Sequence, residues 1–106
     1  MQILRGDKVL VSLDPVMGSE QGKTRPCVVV QNDIGNTYSP TSIIVPITSN
    51  ISKLYPTDVL IDNNFRVDCA QIRTIDKSRI IKKLGKIRLE EIELVNKALK
   101  ISLNLF

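Results

Sequence analysis

The chain has 106 residues, 42% of them hydrophobic and 25% charged, and fifteen Lys and Arg against eleven Asp and Glu leave a net charge of +4. That length fits one domain, taken as residues 1–106, around a single modest core. With no histidine and two cysteines, the chain lacks the default general acid/base near neutral pH and cannot assemble a Cys/His zinc site, so no metal or cofactor is expected.

The first two-thirds read as β structure. Val9, Val11 and Leu13 alternate with Lys8, Leu10 and Ser12, the period of two that marks a strand, and Asp14-Pro15 stops it. Gly18 to Thr24 is a polar loop before Arg25-Pro26. Cys27 to Gln31 is a continuous β-branched run, as expected of a strand buried on both faces. Asn32 to Asn36 supplies turn chemistry, prolonged by Ser39-Pro40. Ser42 to Thr48 predicts a strand in which Pro46 implies an edge position or a bulge. Asp58 to Ile61 and Ala70 to Ile75 give two further strands, separated by the turn-rich Asp62-Asn63-Asn64. Asp76 can cap a short helical turn through Arg79, and Ile81 to Ile87 returns as the last strand.

From Leu89 to Leu105 the period becomes helical, with Glu90, Glu91 and Glu93 at the end where the helix dipole favours them. Ile92, Val95, Leu99 and Leu103 form one apolar stripe, and Leu94, Ala98, Ile101 and Leu105 a neighbouring one. So broad an arc predicts contacts with the domain and with a second subunit, that is, a homodimer. Short strands without a repeat, closed by one helix, argue for a mainly β (α+β) protein built as a strongly bent sheet or small barrel.

Arg5, Asp7 and Lys8 interrupt the N-terminus before any apolar segment forms, so no secretory leader is expected. No apolar run approaches a membrane span. A soluble, cytoplasmic protein follows, with Cys27 and Cys69 as free buried thiols. The run from Lys77 to Arg88 holds six cations and no acid; it reads either as a solvated strand face or as a patch for phosphates or an acidic partner.

Polar groups concentrate in two places. The loop from Gly18 to Arg25 offers Ser19, Glu20, Gln21, Gly22 and Lys23, either as a glycine-hinged flap over a phosphate or as an ordinary hairpin connection. Arg25 stands where Pro26 biases the backbone to be extended, a good position for a guanidinium that forks onto phosphate. Thr48 and Ser49 end an apolar strand, where hydroxyls either donate to a phosphoryl oxygen or cap the strand. Gln71 and Arg73 share a face by alternation. No phosphate-binding loop, nucleophile elbow or dinucleotide fingerprint is present.

Taken together, Arg5-Gly6-Asp7, Leu13-Asp14-Pro15, Gly18 to Pro26, Val28 to Asn36, Ser39-Pro40-Thr41, Pro46-Ile47-Thr48 and Gln71 to Asp76 resemble the MazF/PemK toxins of bacterial type II toxin–antitoxin pairs. The resemblance implies an SH3-like β-barrel with a C-terminal amphipathic helix, working as a homodimer. It further implies metal-independent, sequence-specific cleavage of single-stranded RNA, mRNA included, by the neighbouring 2′-OH, leaving 2′,3′-cyclic phosphate and 5′-OH ends. It puts catalysis on Arg25 and Thr48. Arginine is a poor base, so by its chemistry Glu20 is the better candidate to take the 2′ proton. The Ser19–Lys23 loop would lie over the RNA, with Ser49, Gln71 and Arg73 also contacting it. An acidic antitoxin segment is the implied protein partner. A related reading within the same fold is a toxin that cuts no RNA and poisons DNA gyrase instead. Ala70 departs from the pattern, in which an acidic residue usually precedes Gln-Ile-Arg, and the segment from Asp62 to Cys69 is short.

Overall fold

Val9, Val11 and Leu13 are all buried, so the alternation at the start of the chain does place one side chain in two in a core. The computed structural model describes residues 1–106. Its elements are β1 (Asp7–Ser12), β2 (Thr24–Val29), α1 (Asp33–Tyr38), β3 (Thr41–Thr48), β4 (Asp58–Ile61), β5 (Phe65–Asp68), β6 (Arg73–Asp76), a 3-10 turn (Lys77–Arg79), β7 (Ile80–Lys86) and α2 (Leu89–Ser102). The strands form one antiparallel sheet in the order β4-β5-β3-β2-β1-β7, with β6 also paired to β3.

The middle strands bury both faces, as the unbroken apolar run of β2 requires. Val28, Val45, Ile47 and Val67 join Val95 and Ala98 of α2 in one core cluster. Cys27, Val29 and Ile44 join Val9, Val11, Leu13 and Ile75 in the other. Of the two predicted stripes of α2, Val95 and Ala98 are buried and Ile92 and Leu99 pack at the edge of the core, while Leu94 and Ile101 stay exposed. Glu91 closes the helix start by accepting from the Arg88 N–H at 2.8 Å, and Asp76 caps the 3-10 turn by accepting from the Ser78 N–H at 2.8 Å.

Three expectations need correction. Asn32 to Asn36 is not a simple turn. The Asn32 side chain accepts from the Gly35 N–H at 2.8 Å and caps α1. Asn36 then reaches inward to Gln31 and Ser42. Gly35 is needed there, since a Cβ would lie 2.9 Å from Gln31 Nε2. Between Asp62 and Ala70 a further strand, β5, forms a hairpin with β4. Pro46 is central rather than at an edge. β6 pairs with β3 through Ile44 and β5 begins at Ile47. Val30 donates to the Ile43 carbonyl at 2.9 Å, so alternation turns the missing N–H of Pro46 away from β2 and into the gap between β6 and β5.

β7 is an edge strand with two register breaks against β1, at Ile81 and Leu84. It is pinned by Lys83, whose Nζ lies 3.2 Å from Oδ2 of the fully buried Asp7. The same oxygen accepts from the Leu4 N–H at 2.8 Å. Asp7→Ala leaves both donors without their acceptor and is expected to cost about 2–3 kcal/mol. A lowered urea midpoint with unchanged slope checks this; an unchanged midpoint would show that the pair contributes nothing.

Candidate active site

Pro26 determines where the pairing of β2 with β3 opens. The β2–β3 ladder runs Val29↔Ile44, Val28↔Val45, Cys27↔Pro46 and stops. Pro26, next on β2, has no N–H with which to continue it. Extending the register sets Arg25 across from Thr48. Between these two strand ends lies a groove of about 320 Å³, lined among others by Lys23, Arg25, Thr48, Ser49 and Phe65.

Both facing side chains are held by their own surroundings. Arg25 Nε donates to the Gly22 carbonyl at 2.9 Å, which leaves its two terminal nitrogens without a protein partner. Thr48 is only 8% exposed, and its Oγ1 accepts from the Asn50 N–H at 3.3 Å, so its own proton is free to be donated. Opposite Thr48 in the β3–β5 ladder stands Arg66. Its guanidinium lies 3.1 Å from Asp58 and 3.7 Å from Asp68, and its Nε donates to the Asn50 carbonyl at 3.0 Å. That set fixes the turn below Thr48.

The loop before β2 is tied at its base. Asp14 Oδ1 accepts from the Lys23 N–H and Leu13 N–H donates to the Lys23 carbonyl, both at 2.8 Å. Arg73 donates to the Leu13 carbonyl, and Arg79 to those of Ser12 and Asp14. Gly22 folds against this base: a Cβ there would meet Val16 Cγ2 at 2.6 Å and Asp14 Oδ1 at 3.0 Å. A larger residue would displace the carbonyl that orients Arg25.

Glu20 is not brought to Arg25 and Thr48. It lines a neighbouring, smaller cavity of about 90 Å³ with Gln21, Gln71 and Arg73, floored by Leu13, Pro46 and Ile72. Its Oε1 accepts from the Met17 N–H at 2.6 Å. Gln71 precedes β6 rather than lying on it, yet it faces the same cavity as Arg73 and accepts from the Gln21 N–H at 3.5 Å. Ser19 is exposed at the loop tip and lines neither cavity. Sequence reasoning missed Phe65, Arg66 and Asp14 as parts of this region. For Phe65 the available signal was an aromatic residue directly after an Asn-Asn turn.

The basic run is mostly committed to the fold. Lys77 donates to the Asn36 carbonyl, Arg79 holds the loop base, Lys83 pairs with Asp7, and Arg88 pairs with Glu90 and Glu91. Lys82 and Lys86 alone carry no hydrogen bond or ion pair. The cations facing the two cavities are instead Lys23, Arg25 and Arg73.

Residues 4–103 match the model of the PemK-like, MazF-like toxins of type II toxin–antitoxin systems. The chain belongs to this family. Among this toxin's relatives, the endoribonuclease EndoA of Bacillus subtilis is 47% identical over 99% of the chain and 97% of its own length. The endoribonuclease MazF of Staphylococcus saprophyticus is 46% identical over 95% and 91%. Of the solved structures, MazF from Deinococcus radiodurans superposes with a TM-score of 0.85 at 24% identity, covering 99% of each chain. A mycobacterial endoribonuclease in complex with its cognate antitoxin gives a TM-score of 0.85 at 22% identity, covering 98% and 97%. These last two establish the toxin's fold.

Cys27 lies under the cationic side of the site. Burial pushes its thiol up to about 12, against the opposing pull of Arg25 and Arg73; burial does the same to Cys69, helped by Asp68 and Asp58. Both thiols are expected to resist iodoacetamide at pH 8 in the folded toxin and to react in urea. The folded chain keeps protons that the unfolded chain gives up above its ordinary value of 9.0, so stability is full below that value and falls as pH rises toward about 12. Rapid alkylation of native protein would contradict this packing.

Proposed function

We propose that this endoribonuclease toxin cuts single-stranded RNA, mRNA included, at the Arg25–Thr48 groove, without a metal. The observation that carries the reading is a guanidinium with two free terminal nitrogens and a hydroxyl with a free proton, facing each other across one groove. The 2′-oxygen of the preceding ribose bonds to phosphorus as the bond to the 5′-oxygen breaks. One proton leaves the 2′-hydroxyl and one arrives at the 5′-oxygen, giving a 2′,3′-cyclic phosphate and a 5′-OH. The nucleophile belongs to the RNA, so no activated water is needed. What the protein supplies is charge stabilisation on the phosphoryl oxygens, from donors fixed before the reaction. A guanidinium stays protonated and forks onto two oxygens. Lys23 and Ser49 border the same groove and contact the backbone there, while Gln21, Gln71 and Arg73 border the next cavity and approach a base.

Glu20 sits in that second cavity with its carboxylate already accepting a backbone N–H. Its role is in binding rather than in taking the 2′ proton. The exposed stripe of Leu94, Ile101 and Leu105 supports a homodimer. Carboxylates of an acidic antitoxin segment would match the same cations, Lys23, Arg25 and Arg73, that the RNA uses.

Incubation with a long single-stranded RNA in excess EDTA, followed by mapping of the ends, tests the reading. Discrete cuts ending in cyclic phosphate are expected. Arg25→Lys is expected to lose about a hundredfold in rate while remaining folded, because a point charge cannot reproduce the fork. Thr48→Ala should lose roughly tenfold to a hundredfold. Glu20→Gln should lose less than about tenfold, against the 10²–10⁴ of a lost general base. A folded toxin that leaves the RNA uncut, or an Arg25→Lys variant that cuts like the parent, overturns the assignment.

A further inference from the structure

All four aromatic residues of the chain are exposed, Phe65 the least at 41%, and of the four it alone lines a cavity. The β4–β5 hairpin puts it there. Asp62 and Asn63 take positive φ of 52° and 59°, the left-handed pair of a tight hairpin turn, and Phe65 pairs with Ile61 as the first residue of β5. Its side chain borders two cavities at once. One is the Arg25–Thr48 groove; the other is a cleft of about 150 Å³ that includes Lys8, Asp62 and Leu84 and shares no lining residue with the Gln71 cavity. Pro26 and Ile47 are likewise common to both, so the cleft continues the groove without a break. Lys8 has no ion pair in the chain, and with Asp62 it gives the cleft one donor and one acceptor.

We infer that Phe65 and this cleft seat a nucleobase of the RNA adjoining the cut, stacked on the Phe65 ring. The inference rests on the reading of the Arg25–Thr48 groove as the place of cleavage. Single-stranded RNA is held largely by splaying bases out onto aromatic side chains and hydrogen-bonding their edges. A cleft with one exposed ring, an apolar floor, and one donor and one acceptor suits a single base. It is too small for a helix or a strand of a partner. Lys8 also adds a cation to those of Lys23 and Arg25 in the adjoining groove, which a phosphate backbone uses and a purely apolar partner does not need. Cleavage therefore has a base pocket on each side of the scissile phosphate, with Gln71 and Arg73 on one side and Phe65 on the other.

The test uses a short RNA carrying one cut site, mapped first with the parent toxin on a long single-stranded RNA in EDTA. Versions with an abasic residue at each flanking position are compared. Phe65→Ala is expected to lower kcat/KM by about tenfold to a hundredfold, and Phe65→Tyr to retain it. An abasic residue at one flanking position should cost the parent a similar factor and cost Phe65→Ala nothing more. If Phe65→Ala lowers the thermal midpoint too far to assay, Phe65→Leu fills the volume without a π face and should show the same loss. Parental rates in these variants, or losses that multiply with the abasic substitution, overturn the inference and leave the ribonuclease standing. A variant whose light-scattering mass drops would assign the cleft to a second copy of the chain and overturn it too. A parent toxin that makes no cuts removes the ribonuclease reading and this one with it.

Discussion

Strand β3 has two edges and three neighbours, and much of the structure follows from how it serves them. One edge is given to β2. The other is shared in series, first by β6 and then by β5. A change of partner along one edge leaves a short unpaired interval, and Pro46 occupies it because it has no N–H to leave unsatisfied there. The change also brings Ile72 and Arg73 to one side of Pro46 and Phe65 and Arg66 to the other. Residues far apart in sequence thus meet around the end of one strand. Pro26 completes the arrangement by ending the opposite ladder. Where two strands would otherwise zip to their tips, a groove lined by Arg25 and Thr48 is left open to a ligand.

Arginine does two separate jobs in this chain. Arg66 and Arg79 spend donors on backbone carbonyls and, for Arg66, on carboxylates, and so fix the segments on either side of the site. Arg25 spends only its Nε. The distinction matters because charge stabilisation needs donors that are both fixed and unsatisfied. A guanidinium can meet both conditions at once, since one nitrogen anchors the plane while two remain available. The missing histidine therefore removes a proton carrier without removing the means to stabilise a transition state.

Elements dominated by their own periodicity were legible in the sequence: β1 from Val9, Val11 and Leu13, α2 from its apolar stripes, the 3-10 turn from Asp76. So was the pairing of Arg25 with Thr48, through the family that the motif order suggested. Helix α1 was missed because Gly35 and Asn32 are turn residues by themselves; here they make a cap and clear space for Gln31. β5 was missed because Phe65-Arg66-Val67-Asp68 carries two charges whose partners, Asp58 among them, become visible only across the hairpin. Pro46 was misplaced because an edge and a change of partner have the same local requirement, a missing donor. For Glu20, composition correctly identified a carboxylate in the loop but could not say which of two adjacent cavities it entered.

The breaks at Ile81 and Leu84 have a consequence beyond register. β7 ends the sheet with an unpaired edge carrying Lys82 and Lys86, and a flat edge of that length would offer its backbone to any other chain in extended form. Two bulges twist such an edge so that a second strand cannot follow it for more than a few residues, and the lysines repel another copy of themselves. Growth of the sheet by repeated edge-to-edge addition is thereby blocked at β7.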